Sequence, residues 1–331
     1  MADIANKNVL VTGGAGFIGS HLCDGLLEKG AAKVVCVDNF FLGKMENLSD
    51  ALSHDNFTLY HDDARNFGVM QAIIEKENIE VVFNLATIAL NYSFFNPFDA
   101  YKVNVDIANT LLELMKVHAF KTLIHVSSSE AYGTARYSPM DENHPIDPTT
   151  PYAAGKAAAD LMIHSFSKVL PLDISIVRPF NNYGPRQNAD GPLAAIIPAT
   201  AKRIKEGRKP VMEGDGEQSR DFIYVRDTVR GIILAYEREA SRGKIINLGY
   251  GRDITIKKLL EGICRYTGYT GEYELRPERT SDVKKLCASS ALAKQLLDFE
   301  PEIDFETGLK MTLDWYEGRR LRRRENIGYR S

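Results

Sequence analysis

The chain has 331 residues, of which 44% are hydrophobic and 26% charged, with 25 glycines and 13 prolines; this usage excludes collagen-like, coiled-coil and disordered chains. Forty-one basic residues stand against 44 acidic ones, a formal charge of -3, so the molecule has no electrostatic case for nucleic acid or an anionic membrane surface. Small molecules are the expected partners.

Length alone allows about two domains of roughly 150 residues each. Short β-branched runs stand at 9–12, 34–37, 57–61, 81–86, 122–127 and 174–179, and helix-like amphipathic stretches at 17–28, 97–118, 152–168 and 226–239. This alternation predicts an α/β fold with a doubly wound parallel sheet, several of whose strands are apolar on both faces. After residue 180 the loops NNYGPRQNADGP and EGDGEQSRD break the pattern and predict a smaller lobe. The expected division is 1–180 for the larger domain, with a segment near 222–250 returning to it, and 181–331 mainly for the smaller lobe. The run GRRLRRREN near the C-terminus reads as a solvated helix end and tail. Cys23, Cys36, Cys264 and Cys287 form no CxxC pair and are expected to be reduced and mostly buried, with neither a metal site nor a disulfide framework. No basic n-region with an apolar core opens the chain, and no run reaches the length of a membrane span, so a cytoplasmic location is expected.

The first predicted strand runs into Gly13-Gly14-Ala15-Gly16-Phe17-Ile18-Gly19 and then into a helix-like stretch. Glycines 13, 16 and 19 in that context predict a turn that brings the backbone close to a pyrophosphate, with the helix N-terminus aimed at it. The second strand ends in Asp38, where a carboxylate accepts hydrogen bonds from an adenosine ribose and repels a 2′-phosphate. NAD is therefore the expected cofactor of this Rossmann domain. Asp62 and Asp63 follow the third strand; either caps the next helix or receives the adenine amino group.

The fifth strand leads into Ser127-Ser128-Ser129-Glu130, and Pro151-Tyr152-Ala153-Ala154-Gly155-Lys156 follows. Tyr152 and Lys156 are four apart and share a helix face, where an ammonium favours the phenolate and tunes the tyrosine as a base.

TGGAGFIGS, NLAT at 84–87, HVSSSEAYG, PYAAGK, VRPFNNYGPRQ, GDGEQSRDFIYVRD and LRPERTSDV, in this order, resemble the extended short-chain dehydrogenase/reductase family, specifically its nucleotide-sugar epimerases, dehydratases and decarboxylases. The resemblance spans nearly the whole chain. It implies Ser128 as the hydroxyl bonding the reacting sugar oxygen, Tyr152 as base, and Lys156 as its tuner and ribose ligand. Phe17, Ile18, Asn39, Leu85 and Ala86 complete the implied NAD contacts. Asn181, Arg220 and, less securely placed in the motif, Arg276 are the implied ligands of a UDP-, dTDP- or GDP-sugar. The family pattern also implies a homodimer through a four-helix bundle.

Members with this triad begin alike, by oxidising sugar C4 to a transient ketone. Glu130, just past the catalytic serine, resembles the 4,6-dehydratases, in which a carboxylate removes the C5 proton and the C6 hydroxyl leaves as water. Ser129 stands where some dehydratases carry an acid for that hydroxyl. The expected activity is thus a nucleotide-sugar 4,6-dehydratase, with a 4-epimerase as the alternative. A decarboxylase ranks third, because Leu286-Cys287-Ala288 lacks the Arg-Lys-Pro cation of those enzymes. A cofactor-binding scaffold without catalysis is the non-enzymatic alternative, which the intact Ser128, Tyr152 and Lys156 argue against.

Overall fold

The computed structural model describes residues 2–278 and 283–318. The arginine-rich run after Gly318 and Arg279 lie outside the described residues. The chain forms β1 (Asn8–Thr12), α1 (Phe17–Glu28), β2 (Lys33–Asp38), β3 (Phe57–His61), α2 (Phe67–Lys76), β4 (Val81–Asn84) and α3 (Pro97–Lys116). It continues through β5 (Thr122–Val126), α4 (Pro151–Val169), β6 (Asp173–Pro179), β7 (Asn181–Tyr183), α5 (Ile196–Lys205), β8 (Val211–Glu213), β9 (Ser219–Tyr224) and α6 (Val225–Glu237). Last come β10 (Ile245–Leu248), β11 (Asp253–Thr255), α7 (Ile256–Thr267), β12 (Glu274–Arg276), α8 (Ala291–Leu297) and α9 (Phe305–Tyr316).

Seven strands make one parallel sheet in the order β10-β6-β5-β4-β1-β2-β3. The strand order reverses between β1 and β4, the position at which a doubly wound sheet opens a crevice at its carboxyl edge. Alternate side chains serve two cores. Val9, Val11, Val34, Cys36, Phe83 and Val126 pack with α1, α6 and α8 on one face. Leu10, Val35, Val37, Val82 and Leu123 pack with α2, α3 and α4 on the other. Burial on both faces explains why these strands read as unbroken apolar runs. The fourth strand ends at Asn84, two residues before the apolar run does. There Leu85 N–H donates to Thr12 O and Ala86 N–H to Thr12 Oγ1, which turns the chain toward the glycine loop.

Residues 245–248 add β10 beside β6, and α6 covers the same sheet. Ala293, Leu297 and Phe299 are also buried in that core, so α8 packs on the large domain although it lies far beyond residue 250. The smaller lobe has its own core of Tyr183, Ile197, Phe222, Tyr224, Leu259, Ile263, Leu309 and Leu313.

Helix starts follow from capping. Asn66, Asn96, Thr150, Thr255 and Asp304 each accept a backbone N–H from the first turn of α2, α3, α4, α7 and α9 respectively. Because Asn66 caps α2, neither Asp62 nor Asp63 has that task. Helix α1 differs: Gly16 precedes it with no side-chain cap, leaving its first N–H groups open to the crevice. All four cysteines are free and buried. Among the described residues no helix is long and apolar enough to cross a membrane.

Candidate active site

A cleft of about 510 Å³ opens over the β1/β4 switch point. The glycine loop, Asp38, Asn39, Asp62, Asp63, Leu85, Ala86, Ser128, Ser129, Glu130, Tyr152 and Lys156 all line it. Gly13 has φ +70°, and a Cβ there would sit 2.8 Å from both N and Cα of Ala86. At Gly19 a Cβ would lie 2.1 Å from Gly13 O. The loop is therefore a cradle that only glycine can form, ending at an uncapped helix N-terminus suited to an anionic pyrophosphate.

Asp38 closes the adenosine end. It is 7% exposed; Oδ2 accepts from Ala15 N–H at 2.9 Å and Oδ1 from Phe40 N–H at 2.8 Å. One carboxylate thus fixes the glycine loop and the turn after β2, while burial pushes its pKa up. Beside it, Asn39 Nδ2 donates to Asp63 Oδ2. Arg65 grips Asp63 with Nε and Nη2 and holds its carboxyl down at about 2. Asp63 therefore remains ionised at neutral pH.

The middle of the cleft is built by β5 and α4. Ser128 is the cap of a single 3₁₀ turn, Ser129–Tyr132, and its Oγ accepts from Glu130 N–H at 3.2 Å. The pairing of β5 with β4 and β6 brings this turn over α4, where Pro151 at the first helical position and Thr150 as cap place Tyr152 in the first turn and Lys156 one turn on. Burial, reinforced by the charge of Glu130, holds Tyr152 up at about 12, against the pull of the Ser128 and Thr87 hydroxyls. Lys156 is 3% exposed, donates to Val126 O at 3.0 Å, and is pushed down to about 8 by burial. Thr87 was not legible as a site residue; its Oγ1 donates to Asn104 Oδ1 at 2.7 Å, a pairing across 17 residues.

A second cleft of about 720 Å³ continues from the first, and Glu130, Asn181, Asn182 and Gln187 line both. Glu130 therefore stands at the seam. Arg220 and Arg276 line the second cleft with Arg203, Arg208 and Lys202, five cations suited to a dianionic ligand. Arg220 is buried, its Nη1 donating to Ser219 O. The neighbouring Asp221 points the other way and accepts N–H groups of Tyr250, Gly251 and Ala288. Arg276 is half exposed and bound to Glu274 Oε1 at 2.9 and 2.6 Å. Leu286, Cys287 and Ala288 are buried and line neither cleft.

The motif order can now be compared with known proteins. Residues 10–312 match the GDP-mannose 4,6 dehydratase family. The chain belongs to this family. It is one of the NAD-dependent extended short-chain dehydrogenase/reductase families of nucleotide-sugar enzymes, as the motifs imply. A UDP-glucuronate 4-epimerase of Thermodesulfobacterium geofontis is 37% identical over 92% of this chain and 95% of its own. A UDP-N-acetylglucosamine 4-epimerase from Methanobrevibacter ruminantium, solved with UDP-N-acetylmuramic acid, is 36% identical with a TM-score of 0.86, covering 95% of this chain and 99% of its own. DesIV, a dTDP-glucose 4,6-dehydratase from Streptomyces venezuelae solved with NAD, is 27% identical with a TM-score of 0.89, covering 95% and 98%. Family members thus include both reaction types.

Proposed function

We propose that this protein is an NAD-dependent nucleotide-sugar 4,6-dehydratase. The observation that carries the reading is Glu130, a carboxylate at the seam of the two clefts and near enough to Tyr152 for its charge to raise the phenol. The glycine cradle, the open N-terminus of α1 and Asp38 would hold NAD, and the second cleft, with Arg220, Arg276 and Asn181, would hold the nucleotide diphosphate. NAD, when bound, supplies a reversible hydride acceptor for sugar C4.

The chain's own groups do the rest. Ser128 hydrogen-bonds the C4 oxygen while Tyr152 Oη takes its proton. Since burial keeps the free phenol at about 12, the drive toward phenolate comes from the Lys156 ammonium and the surrounding hydroxyls. A C4 ketone acidifies the C5 proton, and Glu130 removes it as general base. Glu130 passes that proton to the C6 hydroxyl, which hydrogen-bonds the buried Ser129 hydroxyl and leaves as water; the hydride taken from C4 would then return to C6, and a proton equivalent to the one taken by Tyr152 would return to C5, leaving no net redox change.

A 4-epimerase is the second reading, favoured by the higher identity to the two epimerases than to DesIV. In that case Glu130 positions the sugar and removes no proton. A cytoplasmic homodimer completes the proposal: Phe98 is 74% and Leu161 59% exposed on α3 and α4, helices that pack side by side and offer an apolar pair for a second copy. Mass spectrometry of products from UDP-, dTDP- and GDP-sugars, including UDP-N-acetylglucosamine, tests the reaction. Loss of one water supports dehydration; an isobaric new peak refutes it in favour of epimerisation.

A further inference from the structure

Beneath Tyr152 lies a group of buried ionisable side chains that the chemistry above does not use. Asp160 is one turn beyond Lys156 on α4 and is fully buried. Its Oδ2 accepts from Ser127 Oγ at 2.6 Å and from Arg178 Nε at 2.8 Å, with Arg178 Nη2 also at 2.8 Å. Its Oδ1 has no hydrogen-bond partner and faces His125 Nε2 at 3.6 Å. His125 Nδ1 takes the Asn84 amide, and burial with the Lys156 and Arg178 charges holds this ring neutral. The Arg178 guanidinium lies 4.7 Å from the centre of the Tyr132 ring, in the same 3₁₀ turn as Ser129 and Glu130.

The ionisable groups clustered here are therefore Asp160 on the Lys156 helix, His125 on β5, which feels both Lys156 and Arg178, and Arg178 on β6, with Tyr152 and the Glu130 carboxylate above. Resting on the proton-transfer role proposed for Tyr152, we propose that Asp160 is the positioning residue of this site. Its carboxylate keeps Lys156 charged and, through Arg178, ties the tyrosine helix to the turn that carries Ser128, Ser129 and Glu130.

Burial lowers the Lys156 ammonium and the Asp160 carboxylate, one helical turn on, opposes it, the two together leaving it at about 8. Without the carboxylate, the buried Lys156 ammonium would lose the charge that opposes its desolvation. The test follows lysine Cε resonances of the full-length chain, ¹³C-labelled at lysine, against pH, assigning Lys156 by the signal missing from Lys156→Met. The parent should show one lysine titrating at about 8, far below the rest. In Asp160→Asn the Lys156 midpoint should fall below about 7, a proton affinity at least tenfold weaker, and Asp160→Glu should restore it. Arg178→Met, which frees the carboxylate for Lys156, should raise the midpoint and gives the same test if Asp160→Asn does not fold. A Lys156 midpoint that stays in place in both Asp160→Asn and Arg178→Met would overturn the assignment. No sugar is present in this titration, so its result is independent of which reaction the enzyme catalyses.

Discussion

Replacing Gly13 by alanine asks whether the cofactor cradle depends on a missing side chain. At φ +70° an alanine costs about 1–2 kcal/mol in the left-handed region. Its Cβ would also stand 2.8 Å from the backbone of Ala86, which cannot yield cheaply because Leu85 and Ala86 N–H are both bonded to Thr12. Overpacking of this kind adds about 1–3 kcal/mol, giving a total of about 2–5 kcal/mol. If the loop moves away to relieve the strain, at least about 2 kcal/mol is lost from NAD binding, roughly a thirtyfold weaker affinity. Gly30→Ala is the control: its φ is +80°, but nothing lies within 4 Å of the added Cβ. Calorimetric titration with NAD should therefore separate the two variants, while thermal melts show Gly30→Ala losing only the backbone term. Gly13→Ala binding NAD as tightly as the parent, and melting like Gly30→Ala, would refute the close-approach reasoning.

The remaining expectations concern chemistry, pH and assembly. Tyr152→Phe should retain NAD, read by calorimetry, yet lose turnover by at least about a hundredfold; full activity would remove the proton-transfer role. Glu130→Gln should still oxidise sugar C4, seen as absorbance at 340 nm, but release no water by mass spectrometry. Unchanged water loss would return Glu130 to a supporting part. His21, bonded to Pro185 O at 3.1 Å, is lowered to about 3 by burial and by Arg186. Between about pH 6.5 and 3 the unfolded chain binds the extra proton, so stability is lost as pH falls, up to about 2 kcal/mol by about pH 5. Melting temperature against pH should show this slope, and His21→Gln should flatten it. Combining Phe98→Glu with Leu161→Lys should halve the mass measured by light scattering; an unchanged mass would place any subunit contact elsewhere.

The cofactor end was legible because its determinants are local. Three glycines at fixed spacing after a β-branched run, and an acidic residue ending the next, specify a turn and a strand end through backbone geometry alone. Tyr152 and Lys156 were readable for the same reason, since helical periodicity puts residues four apart on one face. Most of the six leading strands also stand out, because burial on both faces leaves them largely apolar; β3, at the sheet edge and partly exposed, does so less. Less visible were the short amphipathic helices α2, α7 and α9, whose starts rest on single capping residues such as Asn66 and Thr255, and α5, which has no side-chain cap.

The sequence by itself determined the leading strands, the longer helices, the glycine turn and the Tyr152–Lys156 pairing on one helix face, because each depends on side chains within a few residues of one another. Only the tertiary structure decided that β10, within the segment expected to return, pairs with β6, that α8 packs on the large domain, and that Leu286–Ala288 are buried. It likewise placed Glu130 at the seam of two clefts and Asp160 against Arg178, 18 residues away. Those placements follow from the parallel neighbourhood of β4, β5 and β6, which brings together residues far apart in the chain, and desolvation then gives the assembled charges their strength.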